Sequence, residues 1–254
     1  MSNNLITVVI VCFNASETIE MSMLSVLSQR KDNLELLIVD GVSTDGTVDI
    51  INRYKRRVEN DEFSGKSLNF ISEIDCGIYD AMNKGIDLAS GDWLFFLGAD
   101  DILLPMFSDA CAVIARQDTI YYCNTFLNKH QFVYAGKFNQ YKLGVKNICH
   151  QTIFYPKHVL RKYYYDTDYQ LNADYLFNII CYSDKQINFS YIPIVISVFN
   201  EYGSCNTKCD NKFNNDKFTI LRTQLGITTA LYSCVYSFIR RCVKIVLNSI
   251  SLKK

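Results

Sequence analysis

The first hundred residues alternate short apolar runs with amphipathic segments. Thr7 to Val11 and Leu34 to Val39 are mostly apolar and rich in branched residues, interrupted only at Thr7 and Glu35, the pattern of strands buried on both faces. Phe70 to Ser72 predicts a shorter third strand and Trp93 to Leu97 a fourth. Between them, Ile19, Met23, Val26 and Leu27 share one helical face, as do Val48, Ile51 and Tyr54, and then Ile78, Met82, Ile86 and Ala89. Asn14, with Glu17 three residues later, reads as a helix cap. Ser43-Thr44-Asp45-Gly46 reads as turn and cap chemistry before the second helix, and Gly91 as the stop of the third. Strand, helix, strand in this rhythm implies right-handed crossovers and a mainly parallel α/β sheet flanked by helices. Asp40 and Asp100 each follow a strand, so they belong at the carboxyl-end edge where such sheets bind ligands.

The second half is less regular. Tyr121, Tyr122, Phe132 and Tyr134 suggest aromatic strands around Asn128-Lys129-His130. Lys157 to Tyr164 and Asn172 to Cys181 read as helices, and Ile194 to Phe199 as a strand. From Leu231 to Leu252, Phe238, Cys242, Ile245 and Val246 lie near one helical face, with Arg240, Arg241, Lys244 and Asn248 towards another. That pattern suits a helix lying in the plane of an anionic membrane surface, and equally a basic helix packed on its own domain. The expected division is a catalytic domain over residues 1–215, with a donor half to 101 and an acceptor half from 102, then a basic helical extension over 216–254.

Composition narrows the function. The 254 residues are 49% hydrophobic with three prolines, a globular make-up with enough chain for a sizeable core. The formal net charge is zero, which gives no electrostatic case for nucleic acid as a partner. After Asp216 there is no acidic residue, while Lys217, Arg222, Arg240, Arg241, Lys244, Lys253 and Lys254 are basic. The ten cysteines are scattered; Cys12, Cys111, Cys181 and Cys242 sit in apolar stretches, and Cys205 and Cys209 lack further metal ligands nearby. A reducing cytoplasm is the expected compartment, since no basic segment precedes the apolar stretch from Leu5 to Phe13. No apolar run reaches the roughly 20 residues of a spanning helix.

Asp100-Asp101 carries the strongest chemistry. Two carboxylates at a strand end form a hard oxygen site suited to magnesium or manganese, which usually share their coordination with substrate phosphates. On its own such a pair is more often a solvated turn or a cap before Ile102. It stands within a longer pattern, however. The run Ile6-Thr-Val-Val-Ile-Val-Cys-Phe-Asn14 is followed by Leu36-Leu-Ile-Val-Asp-Gly-Val-Ser-Thr-Asp-Gly-Thr47, Gly77-Ile-Tyr-Asp-Ala-Met-Asn-Lys-Gly85 and Ala89-Ser-Gly-Asp-Trp-Leu-Phe-Phe-Leu-Gly-Ala-Asp-Asp101. Four such segments in this order resemble glycosyltransferase family 2, the inverting enzymes of GT-A fold, and especially its bacterial O-antigen and capsule branch.

The resemblance implies a role for each matching position. Val11, Phe13 and Asn14 line the pocket of the donor's base, and Asp40 accepts a hydrogen bond from it, as a carboxylate can from the imide of uracil or guanine. Asn83 and Lys84 lie in the segment that approaches the donor diphosphate. Asp100 matches the second aspartate of the family's Asp-x-Asp metal motif, with Asp101 directly after it. Gly98 stands where the first aspartate is expected, and Gly41 where many relatives carry a second aspartate. Asp174, in Ala173-Asp174-Tyr175, matches the general base; Ala173 replaces the usual preceding glutamate, and Asp166 and Asp168 are the fallback. His150-Gln151 resembles a segment that lines the acceptor pocket.

The implied reaction moves a sugar from a nucleoside diphosphate donor, UDP-linked, to a glycan hydroxyl. The implied acceptor is carried on undecaprenyl diphosphate at the cytoplasmic face of the inner membrane. Two rivals share parts of this logic. A nucleotidyltransferase would need a glycine-rich phosphate loop where Cys12-Phe13-Asn14-Ala15 stands. A non-catalytic nucleotide-sugar-binding protein would bind donor without depending on Asp174.

Overall fold

The computed structural model describes residues 4–134, 136–202 and 210–251, with side chains as far as Ile245. Cys205 and Cys209 lie outside the described residues. Four strands form the N-terminal part of the sheet: β1 (Ile6–Cys12), β2 (Leu34–Asp40), β3 (Lys66–Ser72) and β4 (Trp93–Gly98). They run in the order β3-β2-β1-β4, all parallel, linked through α1 (Ile19–Leu27), α2 (Thr47–Glu59) and α3 (Ile78–Leu88). Both faces are covered. Val9, Leu37, Val39, Leu94 and Phe96 pack with Met82 and Ile86 of α3 on one side. Val8, Ile10, Leu36, Ile38 and Phe95 pack with Met23 of α1 and Ile51 and Tyr54 of α2 on the other. Alternate side chains go to opposite layers, and both layers are apolar, which is why the strands read as mostly hydrophobic runs.

Beyond β4 the sheet becomes mixed. It continues through β8 (Ile153–Pro156), β6 (Thr119–Leu127), β9 (Asn188–Phe199) and the short β5 (Ile102–Leu103), with β7 (Phe132–Tyr134) hairpinned onto β6. β8 is antiparallel to both β4 and β6, whereas β6 and β9 are parallel. The helices here are α4 (Met106–Val113), α5 (Gln140–Val145), α6 (Lys157–Tyr163) and α7 (Ala173–Ser183).

The chain closes with α8 (Asn211–Leu225) and α9 (Ile227–Ser251), separated by Gly226 at φ 89°. α8 begins before residue 216, so the expected boundary falls inside a helix. Phe213 of α8 lies between the rings of Tyr169 and Tyr175, at 5.9 and 5.1 Å. On α9, Thr229, Ala230 and Ser233 are buried, and the Ser233 hydroxyl donates to the Gly144 carbonyl of α5 at 2.8 Å. From Cys234 to Ile245 every residue of α9 is exposed.

Two expected caps are placed differently. α1 starts at Ile19, and the Asn14 side chain instead accepts from the Thr44 amide at 2.9 Å. α3 ends at Leu88, ahead of Gly91; a Cβ at Gly91 would lie 2.7 Å from the Thr7 nitrogen, so this glycine permits close backbone approach. Cys242 is exposed, unlike Cys12, Cys111 and Cys181, because its helix has left the domain surface; all eight described cysteines are free.

Candidate active site

The carboxyl ends of β1, β2 and β4 bring Phe13, Asn14, Asp40 and Asp100 to one edge, as crossover topology requires. The loops after β1 and β2 are hydrogen-bonded to each other. The Asn14 amide donates to the Ser43 hydroxyl at 2.7 Å, the Ala15 amide to Thr47 Oγ1 at 2.9 Å and the Ser16 amide to Asp45 at 2.9 Å. Asn14 has φ 49°, a left-handed conformation that asparagine tolerates better than most residues. Phe13 is 65% exposed, so its ring is a wall of the cleft and not a core residue; Val11 is half-buried behind it.

Asp40 is fully buried. It accepts from the Ser43 amide at 3.0 Å, the Ser43 hydroxyl at 2.5 Å and the Ser72 hydroxyl at 2.6 Å. Burial opposes its charge, but these bonds prevail and hold its carboxyl below the usual range. Asp75 approaches the same strand end. Its carboxylate lies where a Cβ on Gly41 would come within 2.7 Å, and it accepts from the Gly77 amide at 2.9 Å. The sequence reading passed over Asp75, although it sits between the third strand and third helix, where the topology places loop carboxylates. Asn83 and Lys84 have protein partners. The Asn83 amide exchanges two 2.9 Å hydrogen bonds with the backbone of Tyr165. Lys84 donates to the Ile74 carbonyl at 2.6 Å and pairs with Glu73 at 3.1 Å.

The β4 end holds Asp100 and Asp101. Asp101 is 1% exposed and accepts from the amides of Gly98 at 3.1 Å and Asn200 at 2.8 Å and from the Gln151 side chain at 2.8 Å. Burial nevertheless pushes its carboxyl up to about 6, with the charge of Asp100 adding to the shift. Asp100 is less buried, accepts from the Asn200 side chain at 3.0 Å, and is also shifted up by desolvation. Two carboxylates whose charge is not neutralised fit a divalent cation, with Asp100 the more accessible ligand. Among the described residues no third carboxylate, histidine or cysteine completes a cage. Gly98 also explains the missing first aspartate, since a Cβ there would lie 2.4 Å from Asp101 Oδ2.

Asp174 stands at the first turn of α7, 7% exposed. Its Oδ1 accepts from the Tyr79 hydroxyl at 2.8 Å and its Oδ2 from the Asn147 side chain at 2.8 Å, with His150 Nδ1 at 3.4 Å. Asn147 is held in turn by Asn178 at 2.9 Å, and Asn178 by the Tyr155 hydroxyl at 2.9 Å. Burial, then the Asp174 charge, keeps the Tyr79 hydroxyl protonated and therefore a donor. The segment 147–151 thus spans the cleft, touching Asp174 through Asn147 and His150 and Asp101 through Gln151. Tyr79, Asn147 and Asn200 carried no signal in the sequence, because each acts only through a distant partner. Asp168 is occupied by an ion pair with Lys212, and Asp166 accepts from the Asp168 amide at 3.0 Å.

The chain is similar to several known proteins. A PGL/p-HBAD biosynthesis glycosyltransferase of Mycobacterium tuberculosis is 32% identical over 262 residues, covering 100% of this chain and 96% of its own length. An amylovoran biosynthesis glycosyltransferase of Erwinia amylovora is 36% identical over 96 residues, covering 37% of this chain and 30% of its own. Among solved structures, Staphylococcus aureus TarS 1–349 in complex with UDP-GlcNAc superposes with a TM-score of 0.68 at 15% identity. It covers 87% of this chain, which spans 66% of that one. A Pyrobaculum calidifontis mannosyltransferase in complex with GDP-Man and Mn2+ gives a TM-score of 0.64 at 15% identity, covering 98% of this chain and 80% of its own. Residues 7–164 match the family described as Glycosyl transferase family 2. With that match and an end-to-end relative, the chain belongs to glycosyltransferase family 2 and has the GT-A fold of that family.

Proposed function

We propose that this glycosyltransferase moves a sugar from a UDP-linked donor to a hydroxyl of a bacterial surface glycan, inverting the anomeric centre. The observation that carries the reading is the segment 147–151, which joins Asp101 through Gln151 to Asp174 through Asn147. The nucleoside sits over Phe13 and Asn14, with the carboxylates of Asp40 and Asp75 at the strand ends near its base. Asp100 and Asp101 hold magnesium or manganese, which would offset the charge of the departing diphosphate. On the opposite side, the carboxylate of Asp174 accepts the proton of the acceptor hydroxyl as that oxygen bonds to the anomeric carbon and the diphosphate leaves, and His150 faces the acceptor. The name of the amylovoran biosynthesis relative supports a glycan acceptor, and the complex of one structural neighbour with UDP-GlcNAc supports a UDP-linked donor, whereas that of another with GDP-Man supports a nucleoside diphosphate sugar only in general.

The acceptor in this reading is carried on undecaprenyl diphosphate, and the enzyme works at the cytoplasmic face of the inner membrane. No described helix is long and apolar enough to cross a membrane. Contact falls to α9, where Leu231, Val235, Phe238 and Ile239 are each more than half exposed beside Arg240, Arg241 and Lys244.

Calorimetric titration with UDP and GDP, each with and without manganese, tests the donor site. Manganese-dependent binding of UDP, weakened by Asp100→Ala and Asp40→Ala, is the expected result. A folded protein that binds neither nucleotide would sink the assignment. Transfer abolished by Asp174→Ala with UDP binding intact separates an enzyme from a binding protein.

A further inference from the structure

A second concavity lies away from the carboxylate cleft, between α5 and α9. It has a volume of about 580 Å3, and Tyr141, Lys142, Lys146, Tyr232 and Tyr236 form most of its wall, with no acidic side chain among its lining residues. Tyr141 and Tyr232 meet edge to face at 5.4 Å, and Tyr232 stacks on Tyr236 at 6.3 Å. Arg240 follows Tyr236 by four residues and so continues the same helical stripe.

The cations here crowd one another. Lys146 Nζ lies over the Tyr134 ring at 3.7 Å and Lys142 Nζ over Phe138 at 4.4 Å. Burial pushes the Lys146 ammonium down, and the charges of Lys142 and Arg240 push it further. Like charges held together beside aromatic walls, with no carboxylate among the lining residues, favour an anion that accepts several hydrogen bonds. A phosphate has that chemistry.

The surroundings specify the rest of the ligand. Leu231, Val235 and Ile239 form the stripe next to Tyr232 and Tyr236 and are 52, 58 and 55% exposed, an apolar track leading out of the groove along α9. At the other end, Lys146 is followed by Asn147, whose side chain holds Asp174. The Tyr134 hydroxyl beneath Lys146 donates to the Asn147 carbonyl at 2.7 Å. The groove therefore joins an apolar helix surface to the wall that carries the base.

We infer that the α5–α9 groove binds the phosphate-bearing lipid carrier of the glycan acceptor. Lys146 and Arg240 take the phosphate, and the three tyrosines take the first part of the hydrocarbon chain, while the Lys142 ammonium stays on the Lys137 carbonyl at 3.0 Å. The inference rests on the glycosyltransferase reading with a lipid-linked acceptor, and adds the place where the carrier docks.

The test is calorimetric titration of the full chain with farnesyl phosphate, with farnesol and with inorganic phosphate, in wild type and three variants. Farnesyl phosphate is expected to bind wild type at least tenfold more tightly than either of the others. The double variant Lys146→Gln/Arg240→Gln, and separately Tyr232→Ala, are each expected to lose at least tenfold. Arg222→Gln, an exposed cation on α8 outside the groove, is expected to leave binding unchanged. Equal binding of farnesol would overturn the phosphate assignment, and equal binding of inorganic phosphate the lipid one. A loss in Arg222→Gln as large as in the double variant would reduce the effect to general surface charge and overturn the groove. Thermal unfolding and UDP titration on the same samples control for folding. UDP bound with farnesyl phosphate unbound overturns the groove and leaves the donor site standing; the converse overturns the donor site alone.

Discussion

The Tyr79 hydroxyl, on the helix that follows β3, donates to Asp174 Oδ1 at 2.8 Å on the far wall of the cleft. The donor half therefore orients the carboxylate of the acceptor half. A hydrogen bond to a charged group contributes about 1.5–3 kcal/mol, much of it as orientation here. Tyr79→Phe is expected to lower kcat about tenfold while the calorimetric affinity for UDP stays within twofold. An unchanged kcat would show that Asp174 needs no such alignment.

Gly98 occupies the position of the family's first aspartate, and Asp101 Oδ2 fills the space a side chain there would enter. Three N–H donors hold that carboxylate, so it cannot swing aside cheaply. Restoring the motif by Gly98→Asp is expected to reduce activity and to cost about 1–3 kcal/mol of stability in urea denaturation, as overpacking does. A gain in activity would mean that the pair is a decayed motif and not a rebuilt one.

Asp100 and Asp101 both carry carboxyls raised by burial, so their charge opposes folding until a cation binds. Manganese at about a hundred times its dissociation constant is expected to stabilise the fold by about 2.7 kcal/mol. Differential scanning calorimetry should show the transition rising with manganese, returning with EDTA, and not rising in Asp100→Ala.

Glu35 anchors the opposite end of the sheet. It is 2% exposed and accepts from Thr7 at 2.5 Å, from the Ser90 amide and hydroxyl at 2.8 and 2.9 Å, and from Asn69 at 3.1 Å. Burial works against its charge, yet these donors together hold it below its ordinary 4.5. Folding thus favours the ionised form; the stabilisation is complete above that value and is lost as pH falls beneath it. Glu35→Gln should cost about 2 kcal/mol at neutral pH and flatten the acid limb of stability against pH. Parallel acid limbs in the two proteins would refute this.

Phe238 and Ile239 are 68% and 55% exposed. Phe238→Glu/Ile239→Glu is expected to weaken sedimentation with phosphatidylglycerol vesicles at least tenfold and to leave UDP binding intact. Undiminished vesicle binding would remove α9 from the membrane contact.

The N-terminal half was largely legible because β1, β2 and β4 are buried on both faces and each helix on one, so periodicity alone separates them. β3 is longer than its apolar tail suggested, since Lys66 to Asn69 alternates with solvent at the sheet edge. In the acceptor half, β6, β8 and β9 pair across long stretches of chain, and local pattern does not encode which strand lies beside which. The site followed the same division. Asp40, Asp100 and Asp101 sit at strand ends that can be read directly, whereas Tyr79 and Asn147 matter only through contacts that folding creates. The cap expected of Asn14 failed because its side chain satisfies a neighbouring loop before its own helix.

That substitution has a consequence for selectivity. With Asn14, Ala15 and Ser16 bonded to Ser43, Thr44, Asp45 and Thr47, the loops after β1 and β2 restrain each other. If the nucleoside binds between them as proposed, little conformational freedom is left to be lost when the donor arrives. The choice among nucleotides would then be made by a surface whose shape was fixed when the chain folded, and a change in either loop would alter the partner loop's half of the pocket as well as its own.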